Sequence, residues 1–295
     1  MVKPGDTLSS IARAYHISLQ EMIDLNPGIK PPYKLLVGQK LNVEPNEENR
    51  KHIILNGFAY STSRSEEVAN ALDDLTFLSI FSYRYDKSGH LVQISDRRLL
   101  NLCNEYESQA LLTVTNQNEK GLFSSDYADE LLKSNEMQEN LLNDIATKLK
   151  STEYYGLVLD FEYIYPIDVN LYISFLEKLK DKIKQTGKYY LFVALAPKYS
   201  SNQKGVLYEA HDYKKIGEIA DYIILMAYEW GYTYGPPMAV SPIQEVRRVV
   251  EYAKTVIDKK KIILDNPVSS LGHHIVKIEL HKEVIGEVDV HLVKE

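Results

Sequence analysis

The chain has 295 residues, 44% of them apolar and 25% charged, with a net charge of −7 at pH 7. Such a composition can bury a large core, and its acidic balance argues against a partner held through a phosphate backbone, so no nucleic acid is expected. A single cysteine, Cys103, excludes an internal disulfide framework and a cysteine-rich metal site, and reads as a small buried hydrophobe. The opening MVKPGDTLSS has no apolar stretch of signal-peptide length, and no apolar run approaches the roughly 20 residues that span a bilayer. Synthesis in the cytoplasm without a signal, and no membrane partner, are therefore expected. Tyrosine is abundant (22, against 7 Phe and one Trp), which suits sugar rings or reflects an AT-rich coding sequence.

Residues 1–45 form the first segment. Lys3-Pro4-Gly5-Asp6 is a turn cluster, and Asp6 or Thr7 can cap a helix carrying Leu8, Ile11, Ala12 and Tyr15 at helical spacing. A second helix over 17–25 has Ser18 as cap and Glu21 three residues on, and Asn26-Pro27-Gly28 stops it. Residues 37–43 read as a turn into a short strand. The stretches VKPGDTLSSIARAYHISLQEMIDLNPGI and LLVGQKLNV closely resemble a LysM module, a small α+β unit. The resemblance implies binding of N-acetylglucosamine chains in a shallow groove. Gly5, Asp6, Thr7 and Leu8 would form one side, and Asn26, Pro27, Gly28 and Ile29 the other.

A polar linker covers 46–51. Beyond it, strands are predicted at 53–60, 75–83, 109–116, 155–163, 189–197 and 221–230. Helices are predicted near 64–73, 96–107, 126–150, 168–186, 212–219 and 241–257. Near-continuous apolar strands alternating with helices indicate a parallel sheet covered on its outer side, and six such units favour a (β/α)8-type TIM barrel over 52–257. No GxGxxG follows the first strand, which removes the obvious nucleotide-binding alternative.

The most informative stretch is Tyr155-Gly156-Leu157-Val158-Leu159-Asp160-Phe161-Glu162. Strand alternation puts Val158, Asp160 and Glu162 on one side, the interior of a barrel, with Glu162 nearest the C-terminal rim. Two carboxylates facing one partly dry cavity oppose each other's ionisation, so one can serve as a general acid at neutral pH. These residues resemble the DxxDxDxE signature of glycoside hydrolase family 18, with Tyr155 and Val158 in place of its first two acids. The stretch from LAPKYSSNQ through LMAYEW to EYAKTVI is similar to the spore-cortex branch of that family, N-acetylglucosaminidases that carry LysM modules.

The resemblance implies retaining, substrate-assisted hydrolysis without a cofactor or metal. Glu162 would protonate the glycosidic oxygen, Asp160 would steady the oxazolinium formed by the substrate's own acetamide, and Tyr228 would hydrogen-bond the acetamido oxygen. Met226, Glu229, Trp230 and Asn116 would contact the sugar. It further implies peptidoglycan as partner and deposition in the cortex, coat or cell wall of a spore-forming bacterium. The alternative is a non-catalytic peptidoglycan-binding protein with an inactive barrel. His16, His52 and His90 are read as solvated surface residues, and the adjacent His273 and His274 face opposite ways on a strand.

Only six strands are accounted for by Ile257, so the barrel is expected to be truncated, with edges at its first and sixth strands. The tail, 258–295, shows two alternating strands, 274–280 and 284–293, expected to pair as an antiparallel meander. From about Lys259 it resembles the C-terminal domain of the ninth protein of the large ribosomal subunit. Two origins fit: a foreign segment joined near Asp258–Lys261, or a divergent barrel end.

Overall fold

The computed structural model describes residues 1–15, 17, 19–43, 54–228, 230 and 239–263, and the backbone of 264, 272–281 and 284–292. His16, Ser18, His52 and Glu229 lie outside these. The chain divides into two compact units, Met1–Ile53 and Ile54–Glu295.

In the first unit, α1 (Leu8–Ala14) and α2 (Leu19–Asp24) pack around Val2, Leu8, Ile11, Ala12 and Met22. Thr7 caps α1: its Oγ1 accepts from Ser10 N–H at 3.0 Å, and Ser10 Oγ accepts from Thr7 N–H at 2.9 Å, a reciprocal capping box. The strand expected at 37–43 does not form. The ends are tied instead by two bonds, Val2 N–H to Gln39 O at 2.9 Å and Gly38 N–H to Val2 O at 2.8 Å. Asn26 completes the closure. Its carboxamide donates to Met22 O and Asn42 O, both at 2.8 Å, and accepts from Asn42 N–H at 2.9 Å.

In the second unit, β1 (Asn56–Tyr60), α3 (Ser65–Leu72), β2 (Phe77–Tyr85), β3 (Leu91–Val92) and α4 (Arg97–Glu105) come first. Next are β4 (Gln109–Thr115), α5 (Ser125–Lys133), α6 (Asn135–Ser151), β5 (Gly156–Asp160) and α7 (Val169–Thr186). Then follow β6 (Tyr190–Leu195), α8 (Tyr213–Ile219), β7 (Tyr222–Leu225), α9 (Ile243–Val256) and β8 (Ile262–Leu264). The sheet order is β1-β2-β4-β5-β6-β7-β8, all parallel, with β3 antiparallel on β2.

Three sequence expectations are corrected here. The sheet does not stop at six strands: Ile262, Ile263 and Leu264 pair with Ile223, Ile224 and Leu225 as a seventh. Among the described residues β1 and β8 do not pair with each other, so the edges are β1 and β8. The helix expected at 126–150 is two, because Ser134 turns extended and caps α6 through Met137 N–H, while Gln138 Nε2 donates to Leu131 O and Leu132 O at the end of α5. The tail forms β9 (Gly272–His281) and β10 (Val284–Leu292), an antiparallel pair in a sheet of its own.

Alternation along the strands sorts the core into two layers. Leu157, Leu159, Phe161, Leu191, Val193 and Leu195 pack outward against the helices. Phe77, Leu111, Val158, Phe192, Ala194, Ile224 and Ile263 fill the inside. At the strand starts the inner layer is aromatic: Tyr155 stacks on Tyr190 and Phe192 on Tyr222, each pair at 4.8 Å between ring centroids. Burial pushes the Tyr155 phenol up to about 12. Gly156 is required beside this layer, since a Cβ there would lie 2.4 Å from Tyr190 O. Cys103 is buried on α4, and burial pushes its thiol up to about 12.

Candidate active site at the ends of the central strands

Parallel strands deliver their C-terminal ends to one rim, and β5 sits in the middle of the sheet. Asp160 is its last residue, paired in register with Thr115 of β4 and buried (3% exposed). Leu157, Leu159 and Phe161 belong to the outer layer and Val158 to the inner one, so alternation puts Asp160 on the inner side. Glu162, half-buried, lies two residues past the strand end rather than on it. On α7, Tyr172 is fully buried; burial first, and the nearby Asp160 charge second, push its phenol well above the ordinary tyrosine range.

The main chain around Glu162 is held by side chains from its neighbours. Asn116, one residue past β4 and fully buried, accepts from Glu162 N–H at 2.9 Å and donates to Glu162 O at 2.8 Å and Ser124 O at 3.0 Å. Both of its N–H donors and one lone pair of its oxygen are thereby engaged with main chain, so Asn116 serves as a clamp on Glu162. Ser125 Oγ donates to the carbonyl of Tyr163, whose φ of 54° is left-handed and must be enforced by such contacts. His211, which the sequence did not single out, touches Phe161 O through Nε2 at 3.0 Å.

Met226 and Tyr228 follow the end of β7. Met226 packs on the inner layer and its N–H donates to Leu195 O at 3.1 Å; Tyr228 is half-buried. Trp230 differs from expectation. It packs against the outer layer and stacks on Tyr199 at 5.8 Å, and its indole N–H is buried without a hydrogen-bond partner among the described residues. Arg248 in turn lies 4.0 Å from the centroid of the Tyr199 ring. His90 is a surface residue, as expected, but not an isolated one, because its Nδ1 lies 3.0 Å from Asp144 Oδ2.

Within the first unit, the residues expected to line a groove separate into two groups. Leu8 is core and Asn26 is a buried tie, which leaves neither free for a sugar. Gly5 (φ 87°), Asp6 and Thr7 form the first turn, where Asp6 Oδ2 accepts from Lys3 N–H at 2.7 Å. Pro27 and Ile29 do line a cavity of about 350 Å³, together with Ile23, Asp24, Lys30, Pro31 and Tyr33. Gly28 stands beside it with open space where a Cβ would go. Among the described residues no group of three or more His, Cys, Asp or Glu could hold a metal ion, and no helix is long and apolar enough to cross a membrane.

Comparison with known proteins agrees with this layout. The LysM domain model matches residues 1–44, and the model of glycosyl hydrolases family 18 matches residues 47–280, past the junction expected near Asp258. The cortical fragment-lytic enzyme of Bacillus subtilis is 35% identical, over 90% of this chain and 73% of its own. The crystal structure of the Bacillus megaterium spore cortex-lytic enzyme SleL superposes with a TM-score of 0.72 at 31% identity, covering 98% of this chain and 67% of that one. A match over 39 residues is 49% identical to large ribosomal subunit protein bL9 of Halalkalibacterium halodurans, 13% of this chain and 26% of that protein. The chain is a member of glycosyl hydrolases family 18 that carries a LysM domain ahead of its hydrolase domain.

Proposed function

We propose that the chain hydrolyses N-acetylglucosaminyl bonds in spore-cortex peptidoglycan, with Glu162 as the acid. One observation carries the reading: Asp160 is buried at the end of the central strand, and Glu162 follows it on a main chain clamped by Asn116. Glu162 gives its proton to the glycosidic oxygen as the bond to the anomeric carbon breaks. The substrate's acetamido oxygen closes on that carbon, and the resulting oxazolinium is steadied by the Asp160 carboxylate. Tyr228 holds the acetamido oxygen. Glu162, now a carboxylate, takes a proton from the water that opens the ring, so configuration is retained. Two relatives bearing cortex-lytic names support the substrate class, and the LysM unit supports attachment to a glycan of N-acetylglucosamine.

The test uses the purified chain on cortical muropeptides and on a chromogenic N-acetylglucosaminide, beside Glu162→Gln. Loss of the acid is expected to lower turnover by at least about 10²-fold. Equal product from both proteins would sink the assignment. No product from either, with retained pelleting on peptidoglycan, would instead favour the binding-only reading.

A further inference from the structure

We propose that His211 is a positioning residue for this site, its imidazole standing as a spacer between the ends of β5 and β6 and fixing the Phe161 carbonyl between Asp160 and Glu162. The proposal rests on the reading of Glu162 as the acid.

The ladder register supplies the argument. β5 and β6 pair in parallel as far as Leu159 and Val193. At the start of the pair, Tyr190 N–H donates to Tyr155 O at 3.4 Å. A parallel ladder repeats that bond every two residues along both strands. Followed to the rim, the repeat arrives at Ala196 N–H and Phe161 O, which have the same separation in sequence as Tyr190 and Tyr155. The direct bond is absent, and the ring of His211 fills the rung. Ala196 N–H donates to Nδ1 at 2.9 Å, and Nε2 lies 3.0 Å from Phe161 O. An amide N–H can only donate and a carbonyl only accept, so the ring is the neutral tautomer with its proton on Nε2.

The spacer is itself fixed. His211 is 1% exposed, and burial first, then the Lys198 charge, hold its pKa down to about 4, which keeps the ring neutral near neutral pH. Lys198 Nζ donates to His211 O at 2.9 Å and to Tyr208 O at 3.1 Å. Tyr213 donates its hydroxyl proton to Ala196 O at 2.6 Å and accepts from Lys198 N–H at 3.0 Å, so the β6 side of the rung is also held. Asp212, the next residue, caps α8 by accepting from Lys215 N–H at 3.2 Å.

With Asn116 on Glu162 and Ser125 on Tyr163, His211 makes the third in a run of consecutive main-chain anchors supplied by side chains of loops and of the start of α5. β5 has left its ladder at this point, and these anchors replace it. A ring cannot be removed from a rung without the strand ends either closing on each other or losing both bonds. Either change moves the segment that carries Glu162, and a displacement of about 1 Å at a reacting group costs on the order of 10²-fold in rate.

The experiment uses the full chain with His211→Phe, which keeps a ring but no polar atom, His211→Leu as a smaller apolar replacement, and His211→Gln. The Gln carboxamide can replace both bonds of the imidazole, its oxygen accepting from Ala196 N–H and one of its two N–H groups donating to Phe161 O. On the chromogenic substrate, Phe or Leu is expected to lower kcat about 10²-fold with KM nearly unchanged. Gln is expected to recover most of kcat. Apolar variants that fold and keep wild-type kcat, or a Gln variant as slow as they are, would overturn the proposal. If the wild type gives no product, the hydrolase reading fails separately, and crystal structures decide this one. Phe161 O bonded directly to Ala196 N–H, with Glu162 displaced, supports it; an unmoved Glu162 in either apolar variant overturns it.

Discussion

Asn116→Asp changes one atom group, the Nδ2 amide, into an oxygen. Glu162 N–H keeps its acceptor, but Glu162 O and Ser124 O lose their donor and face a carboxylate instead. Leaving a buried acceptor unpaired costs about 1–3 kcal/mol, so the two together amount to about 4 kcal/mol. For a domain of this size that is a fall in Tm on the order of 10 °C. The introduced carboxyl, enclosed among carbonyls, has its pKa raised above the unfolded value of about 3.9. Its folded form therefore holds a proton that the unfolded chain has lost. The deficit is full above the raised pKa and narrows as pH falls toward 4, where the protonated group regains one donor. Thermal melts of variant and wild type at pH 7 and pH 4.5, read as differences, measure this. A variant melting within about 1 °C of wild type at pH 7 would refute the clamp, since its two donated bonds would then contribute nothing.

His211 gives a second pH dependence, of the opposite cause. Its pKa is lowered from 6.5 to about 4, so between those values the unfolded chain binds a proton that the folded chain refuses. Stability is full above pH 6.5 and falls through that window by up to about 3 kcal/mol; urea titrations at pH 7 and 4.5 should show a larger drop for wild type than for His211→Gln, and equal drops would contradict the assignment. In the first unit, Asn26→Ala removes three hydrogen bonds around a core of five buried residues and should cost about 3 kcal/mol. Calorimetry should then show the LysM transition lost and the barrel transition unmoved, with peptidoglycan pelleting lost and chromogenic hydrolysis kept. Loss of both activities together would mean the two units do not unfold independently.

The inward parity of Asp160 was legible in the sequence because strand alternation is strict and Leu157, Leu159 and Phe161 leave no choice about which side faces the helices. The site's supports were less legible. A polar residue at a rim position can face a ligand or a neighbouring main chain, and the sequence does not separate these, which is why Asn116 reads as a sugar contact. His211 has as partners the backbone of residues 15 and 50 positions away. No side-chain pattern marks such a contact; the one available hint was a histidine directly before a helix cap, following a strand with no exposed side. The seventh strand is three residues long and takes its register from Ile223–Leu225, so its own pattern could not announce it. In the LysM unit the expected strand reduces to two backbone bonds at Val2, too few for a ladder.

Asp160, Glu162 and Tyr228 lie at or just past the ends of β5 and β7, and the side chains that hold the Glu162 segment come from the stretches that follow β4 and β6. Each of these strands has a paired neighbour on both sides, whereas β1 and β8 are the edges. Edge strands carry unpaired backbone and open first, so the cost of an incomplete closure falls on the outside of the sheet. The middle is additionally pinned where its ladders end, through Asn116 on one side of β5 and His211 on the other. The fixed position of Glu162 therefore depends on four central strands and their side-chain anchors, and it does not require β1 and β8 to meet.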